Sequence, residues 1–306
     1  MTDAEALLRS PAHRLRETLN SGRFLVTAEL ESPRSASAAN VRRQARAFAG
    51  LVDALDCTDN SGAAARMNPV AAAAIAAGSG MNTLIQLTCR DRNRIALQAE
   101  LLGATAVGAA GVVCITGDPP GAGNHPAAMG VYDLDSTALI AAVRAMSAGR
   151  FMSGDELIPP VDLVTGCVEN PADRDHSVDR LAAKAESGAE FVQTQITFDL
   201  DRFADWMDKI RTAGLHRKLR VLAGIAPLRR LSIARRLSTQ APGVVVPGWV
   251  LRRMEAAADP ESEGVAIAAE IMSAVRQIEG VAGVHLLTFG WADGVHRLLD
   301  ALHPRC

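Results

Sequence analysis

The sequence predicts an α/β fold of the (βα)8 TIM-barrel class, a single domain over 1–306 with an extra N-terminal helix within 1–22. Three observations carry the prediction. Short, β-branched apolar runs alternate with amphipathic segments of helix length along the chain. Most runs stop at a polar or Gly/Pro cluster, and the connections are short, the pattern of parallel strands with right-handed crossovers. No Gly-x-Gly-x-x-Gly follows the first strand, which counts against a dinucleotide-binding open sheet.

Taken in order, residues 5–20 read as a helix with Leu8, Ala12, Leu15 and Leu19 on one stripe and Gly22 as its stop. A strand over 24–28 leads into Glu29-Leu30-Glu31-Ser32-Pro33. Helix 38–51 and strand 52–57 follow, ending in Thr58-Asp59-Asn60-Ser61. Asn68-Pro69 opens helix 68–78, and strand 82–88 runs into Cys89-Arg90-Asp91-Arg92-Asn93. Helix 94–106 places Ile95, Ala99 and Leu102 on one face, and the strand after it ends at Thr116-Gly117-Asp118-Pro119-Pro120. After helix 136–148 come a strand at 161–166, helix 178–187, strand 191–195, helix 201–213 and strand 219–225. Helix 228–239, an irregular segment at 242–248, and a long helix near 261–279 carrying Ile267, Ile271, Val275 and Ile278 precede the last strand, 284–289. A helix over 292–302 closes the reading.

Composition narrows the function. The chain is 48% hydrophobic and 22% charged with a formal net charge of −2, which gives no electrostatic case for nucleic acid or an anionic membrane surface. No apolar run approaches the roughly 20 residues of a bilayer span, and the N-terminus lacks a signal-peptide pattern, so the expectation is cytoplasmic. The five cysteines are odd in number and widely spaced, reading as buried reduced thiols rather than a metal site. Composition leaves a homo-oligomer open.

In such a barrel the active site lies at the strand C-termini. The prolines after Asp118 forbid continuing the strand and deliver its carboxylate to a loop. The other strand ends contribute Glu29 and Glu31, Thr58, Asp59 and Asn60, Gln86 and Thr88, Thr116, Glu169 and Asn170, and Gln193 and Gln195. A ring of carboxylates, hydroxyls and amides suits a large polar heterocycle held by hydrogen bonds, with a carboxyl group for proton transfer. No sequence signature of zinc hydrolysis, acyl transfer or a P-loop is present.

Six stretches carry a resemblance. Val26-Thr27-Ala28-Glu29, Leu87-Thr88-Cys89-Arg90-Asp91-Arg92-Asn93-Arg94, Ile115-Thr116-Gly117-Asp118-Pro119, Thr194-Gln195-Ile196-Thr197-Phe198-Asp199, Gly224-Ile225-Ala226-Pro227-Leu228 and Val246-Pro247-Gly248-Trp249-Val250 resemble the methylenetetrahydrofolate reductase family, in its short, barrel-only form. They occur in family order and span nearly the whole chain. The resemblance implies FAD at the strand C-termini, NADH or NADPH as electron donor, and reduction of 5,10-methylenetetrahydrofolate to 5-methyltetrahydrofolate.

It also implies roles. Glu29 matches the general acid that protonates N10, so that the folate opens to a 5-iminium cation able to accept hydride; Glu31 is the competing acid. Such an acid should have its pKa raised by burial. Asp118 matches the carboxylate beside flavin and pterin, and Gln195 the glutamine that binds the folate, with Phe198 near the substrate. Thr58, Thr88, Gly117, Val131, Tyr132, Asp133 and Asn170 match flavin-lining positions, and Lys184 the basic residue reaching the FAD phosphates. Read alone, Lys184 is a solvated helix charge. The chain departs from the family at Gln86, where many members carry histidine, at Gly130, Gly166 and Asn170, where they carry tyrosine or histidine, and at Ala183 in place of an arginine. The rival functions are a flavin-free or reverse-running methyltetrahydrofolate oxidoreductase, and a folate-binding accessory of a methyltransferase without turnover.

Overall fold

The computed structural model describes residues 10–173, 176–240 and 243–302. Among them, eight strands pair in sequence order and close into a barrel. They are β1 (Leu25–Leu30), β2 (Ala54–Cys57), β3 (Thr83–Thr88), β4 (Gly111–Ile115), β5 (Val164–Glu169), β6 (Phe191–Ile196), β7 (Arg220–Ile225) and β8 (Val281–Leu286). The ladders are parallel, with Asp56 opposite Leu84, Gln86 opposite Val113 and Leu25 opposite Gly283. The (βα)8 expectation therefore holds.

The helices, in chain order, are α1 (Pro11–Asn20), α2 (Ala38–Phe48), α3 (Pro69–Ala77), α4 (Arg94–Ala106), α5 (Ser136–Ser147), α6 (Ser177–Ser187), α7 (Leu200–Thr212), α8 (Leu215–Lys218), α9 (Leu231–Gln240), α10 (Gly248–Ala256), α11 (Pro260–Val275) and α12 (Ala292–Leu302). Ser10 caps α1 by accepting from His13 N–H, and Ala12, Leu15 and Leu19 are its buried stripe as read; Leu8 lies outside the described residues. Asn68 caps α3 through the amides of Val70 and Ala71, and Pro69 takes the first turn, where its missing N–H costs nothing. None of the described helices is long and apolar enough to cross a membrane.

The described residues divide into two compact units, one drawn from Met1–Arg23, Glu29–Val168 and Ala183–Phe191, the other from Phe24–Ala28, Glu169–Ala182 and Val192–Cys306. In the first, Leu84, Ile85, Leu87, Val112, Val113 and Cys114 form a buried strand layer, and α4 buries Leu97, Leu101 and Ala104. That corrects the face read from sequence: Ile95 is 74% exposed, and Leu102 also faces solvent. The helix has two apolar stripes, and packing rather than periodicity selects one.

In the second unit, Val192, Val221, Leu222, Val284 and Leu286 are buried strand residues, and α11 buries Ile267, Ala268 and Ile271. A buried polar row lies within this unit. His285 Nδ1 is 3.0 Å from Thr27 Oγ1 and 3.2 Å from Gln193 Nε2. The Gln193 amide nitrogen can only donate, so Nδ1 accepts and the ring is neutral. Burial pushes the His285 pKa down to about 3.

Two strand ranges differ from the sequence reading, and each strand holds a glycine inside it. Gly166 reads as a strand end, but it sits inside β5, where a side chain would collide with the Phe191 ring. The last strand, read at 284–289, is β8 (Val281–Leu286), with Gly283 inside it against the Leu25 backbone. Glycine inside a strand marks close approach of a neighbour as readily as a stop.

Candidate active site

The candidate residues are built from the strand ends upward, beginning with the first unit. Glu29 is the penultimate residue of β1 and half-buried. Glu31, just beyond the strand, is held by Arg66, whose Nη2 lies 2.7 Å from Glu31 Oε1. Arg66 also donates to the Ser32 carbonyl at 3.1 Å, so its position is fixed by the loop it binds. The Glu31 carboxylate is thus tied to the loop through Arg66. Thr58 is fully buried; its Oγ1 accepts from Ser32 N–H at 3.0 Å and its carbonyl from Ser32 Oγ at 2.6 Å. Its hydroxyl locks the loops after β1 and β2 together.

Arginines missed as site builders organise the next loops. Arg90, buried just past β3, donates Nη1 to the Asp118 carbonyl at 3.4 Å and Nη2 to the Asn60 carbonyl at 3.2 Å. Its Nε and Nη2 also bind Asp91, and Asn60 Nδ2 reaches Asp91 at 3.1 Å. Arg92 meets Asp59 at 2.7 and 3.2 Å, while Asp59 accepts from Thr88 N–H at 2.9 Å. Burial raises the Asp59 carboxyl above its ordinary value against the pull of Arg92. The Cys-Arg-Asp-Arg-Asn run after β3 was the available signal: closely spaced arginines at a strand end can bind several loop carbonyls and carboxylates at once.

Gly117, at φ +91°, makes the turn that Asp118 needs, and any side chain there would collide with Thr88 Oγ1. Thr88 is buried, and its hydroxyl donates to the Thr116 carbonyl at 3.2 Å. With its carbonyl pinned by Arg90 and, at 3.2 Å, by the Tyr132 hydroxyl, Asp118 presents an exposed carboxylate with no partner among the described residues. Val131 and Tyr132 are exposed on the long β4–α5 connection. Val131 N–H and Tyr132 N–H donate to the Arg90 and Cys89 carbonyls. Asp133 is occupied differently: it takes the Arg94 backbone N–H at 2.8 Å and its guanidinium at 2.9 Å, anchoring the start of α4. The Arg94 hydrogen bonds hold the Asp133 carboxyl low, at about 2.

Lys184 corrects the solvated-charge reading. It is 7% exposed, and Nζ donates to the Val168 carbonyl at 2.7 Å, next to the end of β5. Of the residues assigned to a flavin, Asp118, Val131 and Tyr132 are exposed, and Lys184 is a buried amine engaged at the end of β5. Thr58, Thr88 and Asp133 make hydrogen bonds within the loops.

The second unit holds the residues assigned to the substrate. Gln195, half-buried near the end of β6, turns its Oε1 to accept from Ile196 N–H at 2.9 Å. Phe198 is 1% exposed and forms part of a pocket wall, so it is core first and a ring contact only at that wall. Asn170 starts the turn after β5, its Oδ1 accepting from Ala172 N–H at 3.0 Å, and its side chain packs on Gly243. Glu169, buried at the end of β5, pairs with Arg180 at 2.6 Å. Cys57, Cys89, Cys114 and Cys167 are buried free thiols, and burial pushes the Cys89 thiol up to about 12.

Comparison with known proteins gives the following. The family model described as methylenetetrahydrofolate reductase matches residues 14–303. Methylenetetrahydrofolate reductase 1 of Schizosaccharomyces pombe is 25% identical over 231 residues, 72% of this chain and 36% of the yeast protein. Methylenetetrahydrofolate reductase 2 of Saccharomyces cerevisiae is 25% identical over 186 residues, 59% of this chain and 29% of that one. The chain thus spans about a third of the length of these relatives. A Clostridium thermocellum protein that binds two copies of 5-methyl-5,6,7,8-tetrahydrofolic acid shares the fold at a TM-score of 0.65 and 12% identity, covering 94% of this chain and 98% of its own. On the match across residues 14–303, the chain belongs to the methylenetetrahydrofolate reductase family.

Proposed function

We propose that this protein reduces 5,10-methylenetetrahydrofolate to 5-methyltetrahydrofolate, with NADH or NADPH as electron donor and FAD as carrier. The observation that carries the reading is the family match over 14–303, which contains every residue assigned to the site. The fold neighbour that binds 5-methyltetrahydrofolic acid supports a folate as ligand.

Parallel strands of a closed barrel end at one rim, and the chemistry is assigned to residues at those ends. Glu29 donates a proton to N10 of the folate, which opens the five-membered ring and leaves a cation at N5. Asp118, with an exposed carboxylate on a loop fixed by Arg90, stabilises that cation through its negative charge. Gln195 orients the pterin through its side-chain amide. The flavin, when bound, supplies the hydride. Lys184 holds its phosphate end, and Val131 and Tyr132 flank its ring.

The test uses purified protein. Yellow colour, NADH-dependent reduction of menadione and NADH-dependent formation of 5-methyltetrahydrofolate are expected together. Turnover without colour would favour direct transfer from nicotinamide, and folate binding without any turnover would favour the accessory role.

A further inference from the structure

We propose that the outer face of α4 is the docking surface for a second copy of this chain, the two helices packing antiparallel about a two-fold axis. On that face α4 carries Ile95, Ala99, Leu102 and Ala106, all exposed. Their spacing of four, three and four residues makes one stripe, opposite the buried Leu97, Leu101 and Ala104. The outer faces of other helices turn charge to solvent, as α2 does with Arg42, Arg43 and Arg46 and α7 with Asp201, Asp205 and Asp208. The charges of α4 are Arg94 and Glu100, and both are engaged, Arg94 by Asp133 and Glu100 by Arg92 and Asn68. The stripe itself is left apolar.

Two loops extend the patch. Every exposed large apolar side chain among the described residues lies between Ile95 and Ile158. The β4–α5 connection carries Met129, 88% exposed, and reaches α4 where Asp133 takes the Arg94 N–H at 2.8 Å. The α5–β5 connection carries Ile158, 77% exposed, and is seated beside the stripe by Met152 N–H, which donates to Gln98 Oε1 at 2.9 Å. The helix face and the two loops together offer about 20 residues, the size of one side of a standard interface. Surfaces that stay single rarely gather apolar area in this way.

The stripe is its own complement. Large and small residues alternate along it, with Ile95 and Leu102 seven apart and Ala99 and Ala106 seven apart. Turned antiparallel about an axis between Ala99 and Leu102, Ile95 meets Ala106 of the other copy and Ala99 meets its Leu102, a large side chain against a small one in each pair. A two-fold interface requires that reciprocity. A heptad repeat keeps such a seam facing its partner at a crossing angle near 20°, about the value for coiled-coil packing. The flanking Ala96, Gln98, Gly103 and Thr105 are uncharged, so two copies oppose no like charges across the seam. Gly103 leaves further room for a second helix: a Cβ there would meet nothing in this chain nearer than Val70 at 3.8 Å, so the fold itself does not require the glycine.

The test is sedimentation velocity of the purified full chain over a dilution series. Wild type should run as a dimer that dissociates on dilution. Ala99→Glu and Leu102→Lys each set a charge against an apolar side chain at both symmetry-related contacts. Both positions are exposed in the single chain, so each variant should fold and weaken association by about 100-fold or more. The double variant places a glutamate opposite a lysine at both contacts and should recover at least about 10-fold of that loss. Ile95→Ala should weaken association by about 10-fold, an effect absent from denaturation of the diluted single chain, where the side chain is already exposed. A wild type that stays monomeric would leave the stripe to a partner of another kind and overturn the assignment. A dimer that both charged variants leave intact, or a double variant no better than the singles, would overturn it equally.

Discussion

Glu29 and Glu31 lie two residues apart, and Arg66 pairs with Glu31. With Glu29 as the acid, Glu29→Gln should abolish folate reduction while menadione reduction persists, and Glu31→Gln should retain most folate turnover. The pair of assays decides between them; near-normal folate turnover in Glu29→Gln would shift the acid elsewhere. Asp118→Asn should slow the folate step by roughly 100- to 1000-fold, the range for losing one preorganised electrostatic contact, with menadione reduction largely intact. Equal loss in both assays would make Asp118 structural. At this scale the sequence showed the carboxylates and the glutamine but not what holds them. Arg90 and Arg66 act through loop carbonyls distant along the chain, and Lys184 is buried by the end of β5; none of those distances is encoded in local spacing.

Among the elements, α4 gives the sharpest test of a misread face. Leu97→Ala should cost about 2–5 kcal/mol, as for other buried leucines, whereas Ile95→Ala should stay within about 0.5 kcal/mol. Chemical denaturation of the two variants checks this, and the opposite order would restore the face read from sequence. Helix starts were legible where a cap and a proline coincide, as at Asn68-Pro69. The helix Gly248–Ala256 was not, because Pro247 and Gly248 read as loop residues although Pro247 serves as its N-cap. Gly166 misled because a glycine that makes room for Phe191 looks, in one dimension, like a glycine that ends a strand.

Over the whole molecule, the closed order of eight strands was legible because each strand carries its own stop signal and each helix its own stripe. The polar content of the barrel was not, and it has a consequence for stability. His285 is neutral in the fold with a pKa near 3, whereas in the unfolded chain it titrates near the ordinary value of about 6.5. The unfolded state therefore binds the extra proton first. This group costs no stability above about pH 6.5, and stability declines as pH falls from there towards 3, by at most a few kcal/mol. Thermal melts across that range should show the decline, and His285→Gln should flatten it; an unchanged slope would mean that other groups govern acid unfolding.

The direct measurement of the proposed chemistry is anaerobic: protein and NADH are mixed with 5,10-methylenetetrahydrofolate, and products are separated and counted. One 5-methyltetrahydrofolate formed per NADH consumed, and none formed by Glu29→Gln, is the expected result. NADH consumption without 5-methyltetrahydrofolate, in protein that binds the folate, would contradict the account.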